Sequence, residues 1–204
     1  DPVAATADKL VIRNASGADV TDKLNIEKVD GQIKVTPAPL TIRIVGNSAL
    51  ETYTGGVLAV DDFTPETAFE GKATIALKNG VAAHAEGVDV GKYPMGLTPD
   101  SFDVASRNYE VTLEVVDGFL EISPLDTLKV TAENVVKRYD GASYGVEAIP
   151  SDKDGRTSIK YYNEATDAFD LDESPVFKDA GTYTVRFQAT HPNYSNVAEG
   201  SAIV

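Results

Sequence analysis

The chain has 204 residues, 42% of them hydrophobic and 25% charged, the balance of a folded domain rather than a disordered one. Its net charge of −14 makes nucleic acid and anionic lipid surfaces poor partners, since both are held by lysine and arginine. Cysteine is absent, which excludes disulfides, thiol nucleophiles, thiolate zinc sites and iron–sulfur clusters together.

Sixteen glycines and ten prolines spread through the chain favour many turns over long helices. The longest helix-like window, 99–106, is short and opens on Pro99. No apolar run approaches the ~20 residues of a membrane helix, so membrane insertion is not expected. The start at Asp1-Pro2, without a methionine, reads as a fragment cut from something longer. Strong acidity suits a secreted protein that stays soluble and monomeric.

In chain order, Leu10-Val11-Ile12-Arg13 is a short strand signal, and Asn14-Ala15-Ser16-Gly17 a turn cluster. Leu24–Val29 and Gln32–Thr36 then alternate apolar with polar residues around Asp30-Gly31. An Asp-Gly pair between alternating runs predicts a β-hairpin with a type I′ turn. The same arrangement returns as Tyr109–Val116, Asp117-Gly118 and Phe119–Ser123. Asp30 and Asp117 differ by 87 positions (117 − 30), as do the closing prolines Pro37 and Pro124 (124 − 37). Two marks with one offset define a repeat.

Further marks agree. Leu40–Ile44 and Leu128–Ala132 are alternating strands, each followed by a tyrosine turn, Thr52-Tyr53-Thr54-Gly55 and Arg138-Tyr139-Asp140-Gly141. Asp89-Val90-Gly91-Lys92-Tyr93 and Asp179-Ala180-Gly181-Thr182-Tyr183 repeat an Asp-x-Gly-x-Tyr turn before a strand, 90 residues apart (183 − 93). Other strand candidates are 73–77, 146–149, 158–162 and 183–187. Short strands bounded by Gly, Pro, Asp or Asn, about seven to a unit, predict an all-β fold of tandem immunoglobulin-like β-sandwich modules arranged end to end. The expected boundaries are 1–37, the last strands of a truncated preceding module, then modules at 38–124 and 125–204.

The repeated turn fits the tyrosine corner of such sandwiches. Asp89, Gly91 and Tyr93, and likewise Asp179, Gly181 and Tyr183, are expected to be structural. The aspartate would accept turn N–H groups, the glycine allow close approach, and the tyrosine bury its ring with one hydrogen bond kept. Met95 and Val185 stand where an antibody domain has cysteine.

These residues carry a resemblance. Lys137-Arg138-Tyr139-Asp140-Gly141, the Asp179–Val185 turn and His191-Pro192-Asn193-Tyr194 resemble the YDG/MBG-type repeats of large bacterial cell-surface proteins. So do Glu51–Gly55, Gly91–Leu97, Asn108-Tyr109 and the Val-Asp-Gly closure, with Thr54 standing in the place of the family's aspartate. The resemblance covers the chain and implies an extracellular, secreted or cell-wall-anchored protein with a stalk or spacer role in adhesion. It implies no catalytic residue, so no enzyme activity, cofactor or metal is expected. The alternative function is that the modules bind host glycan or mucin, or an extracellular protein, with Tyr144, Tyr161 and Tyr162 as candidate stacking surfaces; only one of the adjacent pair can face outward.

Other constellations carry less. His84 and His191 fall in different modules, and His191 before Pro192 reads as a turn residue. Asp152-Lys153-Asp154-Gly155 and the acidic loop of Asp167, Asp170, Asp172 and Glu173 read as solvated charge, because a calcium site needs six to eight converging oxygens. Calcium at a module junction, and a Lys–Asn isopeptide bond from Lys129 to Asn193 or Asn196, are the two stiffening devices to look for.

Overall fold

The computed structural model describes residues 3–5, 11–25, 27 and 31–204, with the main chain alone at 3–5 and 31–33. Strand accounts for 44% of the chain against 3% helix, so the class is all-β, in several small sheets consistent with a β-sandwich. No helix among the described residues is long and apolar enough to cross a membrane. Leu10, Ile26 and 28–30, including the first residue of the predicted Asp30-Gly31 hairpin, lie outside the described residues.

The N-terminal part pairs β1 (Val3–Ala5) with β2 (Gly31–Ile33), antiparallel. Between them the predicted turn at Asn14 is present: its Oδ1 accepts the N–H groups of Ser16 and Ala18, and Gly17 takes a left-handed φ of 81°. Such a side-chain acceptor two residues upstream is how asparagine closes a turn.

The middle region runs β3 (Ala38–Gly46), β4 (Ser48–Thr52), β5 (Leu58–Asp61), β6 (Phe63–Pro65), β7 (Thr74–Leu77), β8 (His84–Gly87), β9 (Gly91–Pro94), β10 (Phe102–Ala105), β11 (Tyr109–Val116) and β12 (Phe119–Ser123). The window expected to be helical is a single 3-10 turn, Pro99–Ser101, leading into β10. A proline start with strand-forming Phe102 and Val104 beyond it leaves no length for an α-helix.

Asp117-Gly118 is not a hairpin. β11 pairs parallel with β3, whereas β12 pairs parallel with β4 and antiparallel with β9. β3–β4 and β11–β12 are therefore two long runs lying side by side, each passing from one sheet to the next at a glycine. A Cβ added to Gly46 would run into the main chain of Gly118, and one added to Gly118 would run into Gly46 and Asn47. Only glycine lets the two backbones touch there. A type I′ turn needs positive φ at both central residues, and neither Asp117 nor Gly118 has it. The Asp117 carboxylate is spent elsewhere, accepting the N–H groups of Gly96 (3.0 Å) and Leu97 (2.8 Å).

The C-terminal region holds β13 (Val130–Thr131), β14 (Ile149–Pro150), β15 (Ser158–Asn163), β16 (Ala168–Leu171), β17 (Thr184–Thr190) and β18 (Ala198–Ile203). β13 pairs with β14, and the other four form an antiparallel sheet in the order β16-β15-β17-β18. Strand alternation explains its core: Val185, Phe187 and Ala189 of β17 point inward, with the residues between them outward. Leu128, Val130, Val146, Ala148 and Tyr161 complete that core. The Tyr161 hydroxyl is buried with it, accepting from Ala148 N at 3.0 Å.

Apolar packing divides into three clusters. One lies in the C-terminal region, one around Ile42, Ile44, Leu97 and Phe102, and a third around Tyr53, Ala85, Leu120 and Ile122. Tyr194 of the C-terminal region packs on the first and the third alike. The two regions meet there.

Candidate functional site

The corner at Asp89 lies at this meeting point. Tyr93 half-buries its ring against Gly87, where any Cβ would strike the ring, and its hydroxyl donates back to the Asp89 carbonyl at 2.9 Å. The carboxylate of Asp89 turns away from its own loop. It accepts from Arg156 Nη1 at 2.5 Å and from Asn193 Nδ2 at 2.9 Å, both in the C-terminal region. The Asn193 Oδ1 accepts in return from Val90 N at 2.9 Å. One buried carboxamide thus reads both the side chain and the main chain of the corner.

Arg156 is the hinge pin of the cluster. Its Nε donates to Asp154 Oδ2 at 2.7 Å, Nη1 to Asp89, and Nη2 to the Tyr53 hydroxyl at 3.3 Å. A planar guanidinium suits this, because its donors diverge in fixed directions towards several acceptors. The backbone supports it: Arg156 N donates to Asp154 Oδ1 at 2.9 Å, and Asp154 N to Asp152 Oδ1 at 3.0 Å. The Asp152–Asp154 loop is therefore a folded shelf for the arginine, not loose solvated charge.

Behind it lies His191, whose side chain is wholly buried. Asn193 N donates to its Nδ1 at 3.1 Å, so that nitrogen is unprotonated and Nε2 carries the hydrogen. Nε2 faces both oxygens of Asp154 at 3.1 Å. His191, Tyr53 and Tyr194 pack ring on ring, with centroids 5.1 to 6.2 Å apart. The Tyr194 hydroxyl donates to Asp152 Oδ2 at 3.0 Å.

These contacts fix the charges. Hydrogen bonds from the Arg156 main chain and guanidinium, with His191 behind them, hold the Asp154 carboxyl down at about 2. Asn193 first, then Arg156, hold Asp89 below the usual carboxylate range. Burial, then the neighbouring Asp152, push the Tyr194 phenol up.

Asp152, Asp154 and His191 are the one group among the described residues whose ligand atoms come within metal-binding reach of one another, all within 4.8 Å. They do not suit a cation. Both imidazole nitrogens are engaged, and the Asp154 charge is already met by a guanidinium. A metal ion would have to displace Arg156 or stand beside it at the cost of like-charge repulsion.

The second corner is built differently. Tyr183 lies over Gly181 and stacks on Phe177, with centroids 4.2 Å apart and planes within 7°. Among the described residues its hydroxyl makes no hydrogen bond, and the exposed Asp179 carboxylate receives no donor. Tyr139, the counterpart of buried Tyr53, is 68% exposed. The turns beside these tyrosines nonetheless match. Gly55 and Gly141 both take φ of 80°, with Thr54 Oγ1 accepting Gly56 N at 3.3 Å where Asp140 Oδ1 accepts Ala142 N at 2.8 Å. The threonine does the aspartate's work over a longer bond.

The other residues singled out in the sequence are dispersed. Tyr161 is buried, and Tyr162 is half-buried under the Arg186 guanidinium, 4.3 Å from its ring centroid. Tyr144 bonds through its hydroxyl to Asp140. Lys129 is exposed, while Asn196 brackets the Leu128 main chain with both its amide atoms. With Asn193 also fully engaged, neither amide is free to meet Lys129. Asp172 pairs with Lys160 and Asp167 with the Tyr162 hydroxyl, so that loop's carboxylates diverge.

No known protein-family profile matches the chain, and no curated protein matches it.

Proposed function

We propose that the chain is a non-catalytic segment of tandem immunoglobulin-like β-sandwich modules, serving as a stalk or spacer in adhesion by a secreted or wall-anchored bacterial surface protein. The observation that carries this reading is the use made of Asp89: a corner residue of one region is the principal acceptor of the next. A spacer needs successive modules held at a fixed angle, and a half-exposed polar lock over packed rings supplies direction as well as adhesion. No convergent set of acid, base and nucleophile competes with this reading among the described residues, since the joint's histidine and carboxylates are consumed by one another.

The test is the angle between the regions. Arg156→Ala removes the donor that binds Asp89, Asp154 and Tyr53 at once. Pulsed electron–electron distance measurements across the joint should show a narrow distribution in the parent and a broadened one in the variant. An equally narrow distribution in the variant would defeat the spacer reading.

Binding of host glycan by the modules is the second reading. It falls to Tyr139 and Tyr144, which share a groove with Lys137, Arg138 and Asp179. A glycan array probed with the parent and with Tyr139→Ala decides it.

A further inference from the structure

The C-terminal sheet carries a groove on a flank that lies apart from the joint. β15, β16 and β17 build it with the segment that follows β16, and no residue of β18 lines it. Its volume is about 190 Å³. The corner offset of 90 (183 − 93) carries Thr184, Val185 and Arg186 onto Pro94, Met95 and Gly96 of the middle region. There Met95 N donates to Gly118 O and Gly96 N to Asp117, both inside their own region. The joint is reached instead through Tyr53, Asp89 and Val90. This flank is lateral to the succession of modules.

The groove has an apolar floor and a polar rim. Leu171, Phe177 and Val185 form the floor, as part of the C-terminal core or packed against it. Asn163, Glu164, Thr184 and Arg186 stand on the rim. The rim is held in shape: Asn163 Oδ1 accepts Ala165 N at 3.0 Å and Asn163 O accepts Thr166 N at 3.3 Å, which closes the β15–β16 turn. The Arg186 guanidinium lies 4.3 Å from the Tyr162 ring centroid and 5.3 Å from that of Phe169. Two rings thus hold the cation without neutralising it. Among the described residues Arg186 has no carboxylate partner, and Asn163 Nδ2, the Thr184 hydroxyl and the Glu164 carboxylate make no hydrogen bond.

That set of groups selects a chemistry. Free donors and a free acceptor around an apolar floor suit a ligand with hydroxyls at its edge and a C–H face. One cation and one carboxylate on the rim cancel. Asp167 and Asp170 on the adjoining turn, in a chain of net charge −14, turn an anion away. We infer that this groove binds one neutral hexopyranose residue of a glycan. The sugar's C–H face rests on Leu171 and Phe177, Arg186, Asn163 and Thr184 donate to its oxygens, and Glu164 accepts from a hydroxyl.

The experiment titrates the isotope-labelled full chain with the methyl glycosides of glucose, galactose and mannose and follows amide shifts by NMR. At least one should give saturating shifts at Asn163, Glu164, Thr184 and Arg186, with a Kd on the order of 1 to 10 mM for so small a ligand. Amides of Tyr53, Asp89 and Tyr139 should not move, which separates this site from the joint, the spacer reading and the Tyr139 groove. Thr184→Val removes one hydroxyl at constant shape and should weaken binding roughly threefold, and Arg186→Ala roughly tenfold or more. The uronic-acid form of the glycoside that binds, with a carboxylate on the same ring, should bind more weakly. Three neutral glycosides without a saturating shift would overturn the inference, as would undiminished binding by either variant. So would a uronate bound as tightly as its neutral parent or tighter, which would make the groove an anion site.

Discussion

The two corners carry the same sequence pattern and spend it differently. At Asp89–Tyr93 the tyrosine ring settles over Gly87, its hydroxyl closes back on the main chain, and the carboxylate leaves the loop to bind the next region. At Asp179–Tyr183 the residue six before the tyrosine is Phe177 instead of glycine, and the tyrosine stacks on it face to face. One position sets the mode of ring packing, and ring packing decides where the hydroxyl can reach. The carboxylates differ for another reason: Asp89 has a neighbour that presents Arg156 and Asn193, and Asp179 has none among the described residues. The shared pattern thus places a tyrosine and an aspartate at each corner, while the residue six before the tyrosine decides how the ring packs.

The sharpest way to break the comparison is to exchange the deciding residue. Gly87→Phe gives the first corner the residue of the second, where even a Cβ meets the Tyr93 ring. The ring must swing out, losing the Asp89 hydrogen bond and disturbing Ala85 and Leu120 beneath. Overpacking of this sort costs about 3 kcal/mol, to be read as a fall in the denaturant midpoint with unchanged slope. A loss below about 0.5 kcal/mol, within the range of an ordinary surface substitution, would show that Gly87 does not set the ring.

Hydroxyl deletion sharpens the contrast at smaller magnitude. Tyr93→Phe removes a bond to the Asp89 carbonyl and should cost about 1 kcal/mol. Tyr183→Phe removes a hydroxyl with no partner among the described residues, and should cost a few tenths at most. Paired chemical denaturation of the two variants checks this, and equal losses would erase the proposed difference between the corners.

Much of this is legible in the sequence and some of it is not. Alternation over Leu40–Ile44 and Tyr109–Val116 announces strands because burial on one face imposes a period of two. The repeat offset places both corners and both tyrosine turns. Asp117-Gly118 misleads because a hairpin signal is local, whereas the glycine is required by a backbone some 70 residues away and the aspartate by Gly96 and Leu97. The joint was invisible for the same reason. Arg156 and Asn193 lie 67 and 104 residues from Asp89, and nothing in their neighbourhoods marks them as its partners. The one usable signal was the Asp152-Lys153-Asp154-Gly155 turn, whose side-chain acceptors could have been read as shaping a loop instead of decorating one. His191 before Pro192 looks like a turn residue and is one, but the turn buries it.

The smallest expected effect concerns acid. Asp154 and Asp89 both have carboxyls held below the ordinary range, Asp154 at about 2, by donors that exist only when the regions are joined or the Asp152–Arg156 loop is folded. A carboxyl whose folded value is depressed contributes stability that is fully present above its unfolded value, near 4, and is lost as pH falls through the folded one. The joint should therefore hold unchanged from pH 7 to about 5 and loosen between about pH 4 and pH 2. Exposure and screening keep the magnitude small, so the measurement is comparative: the stability difference between the parent and Asp154→Asn, followed against pH. That difference should be constant above pH 5 and shrink towards zero near pH 2. A difference that persists undiminished at pH 2 would mean that Asp154 acts through its shape in the loop, not through its charge on Arg156. The second corner, whose carboxylate meets no guanidinium among the described residues, would then differ from the first in geometry alone.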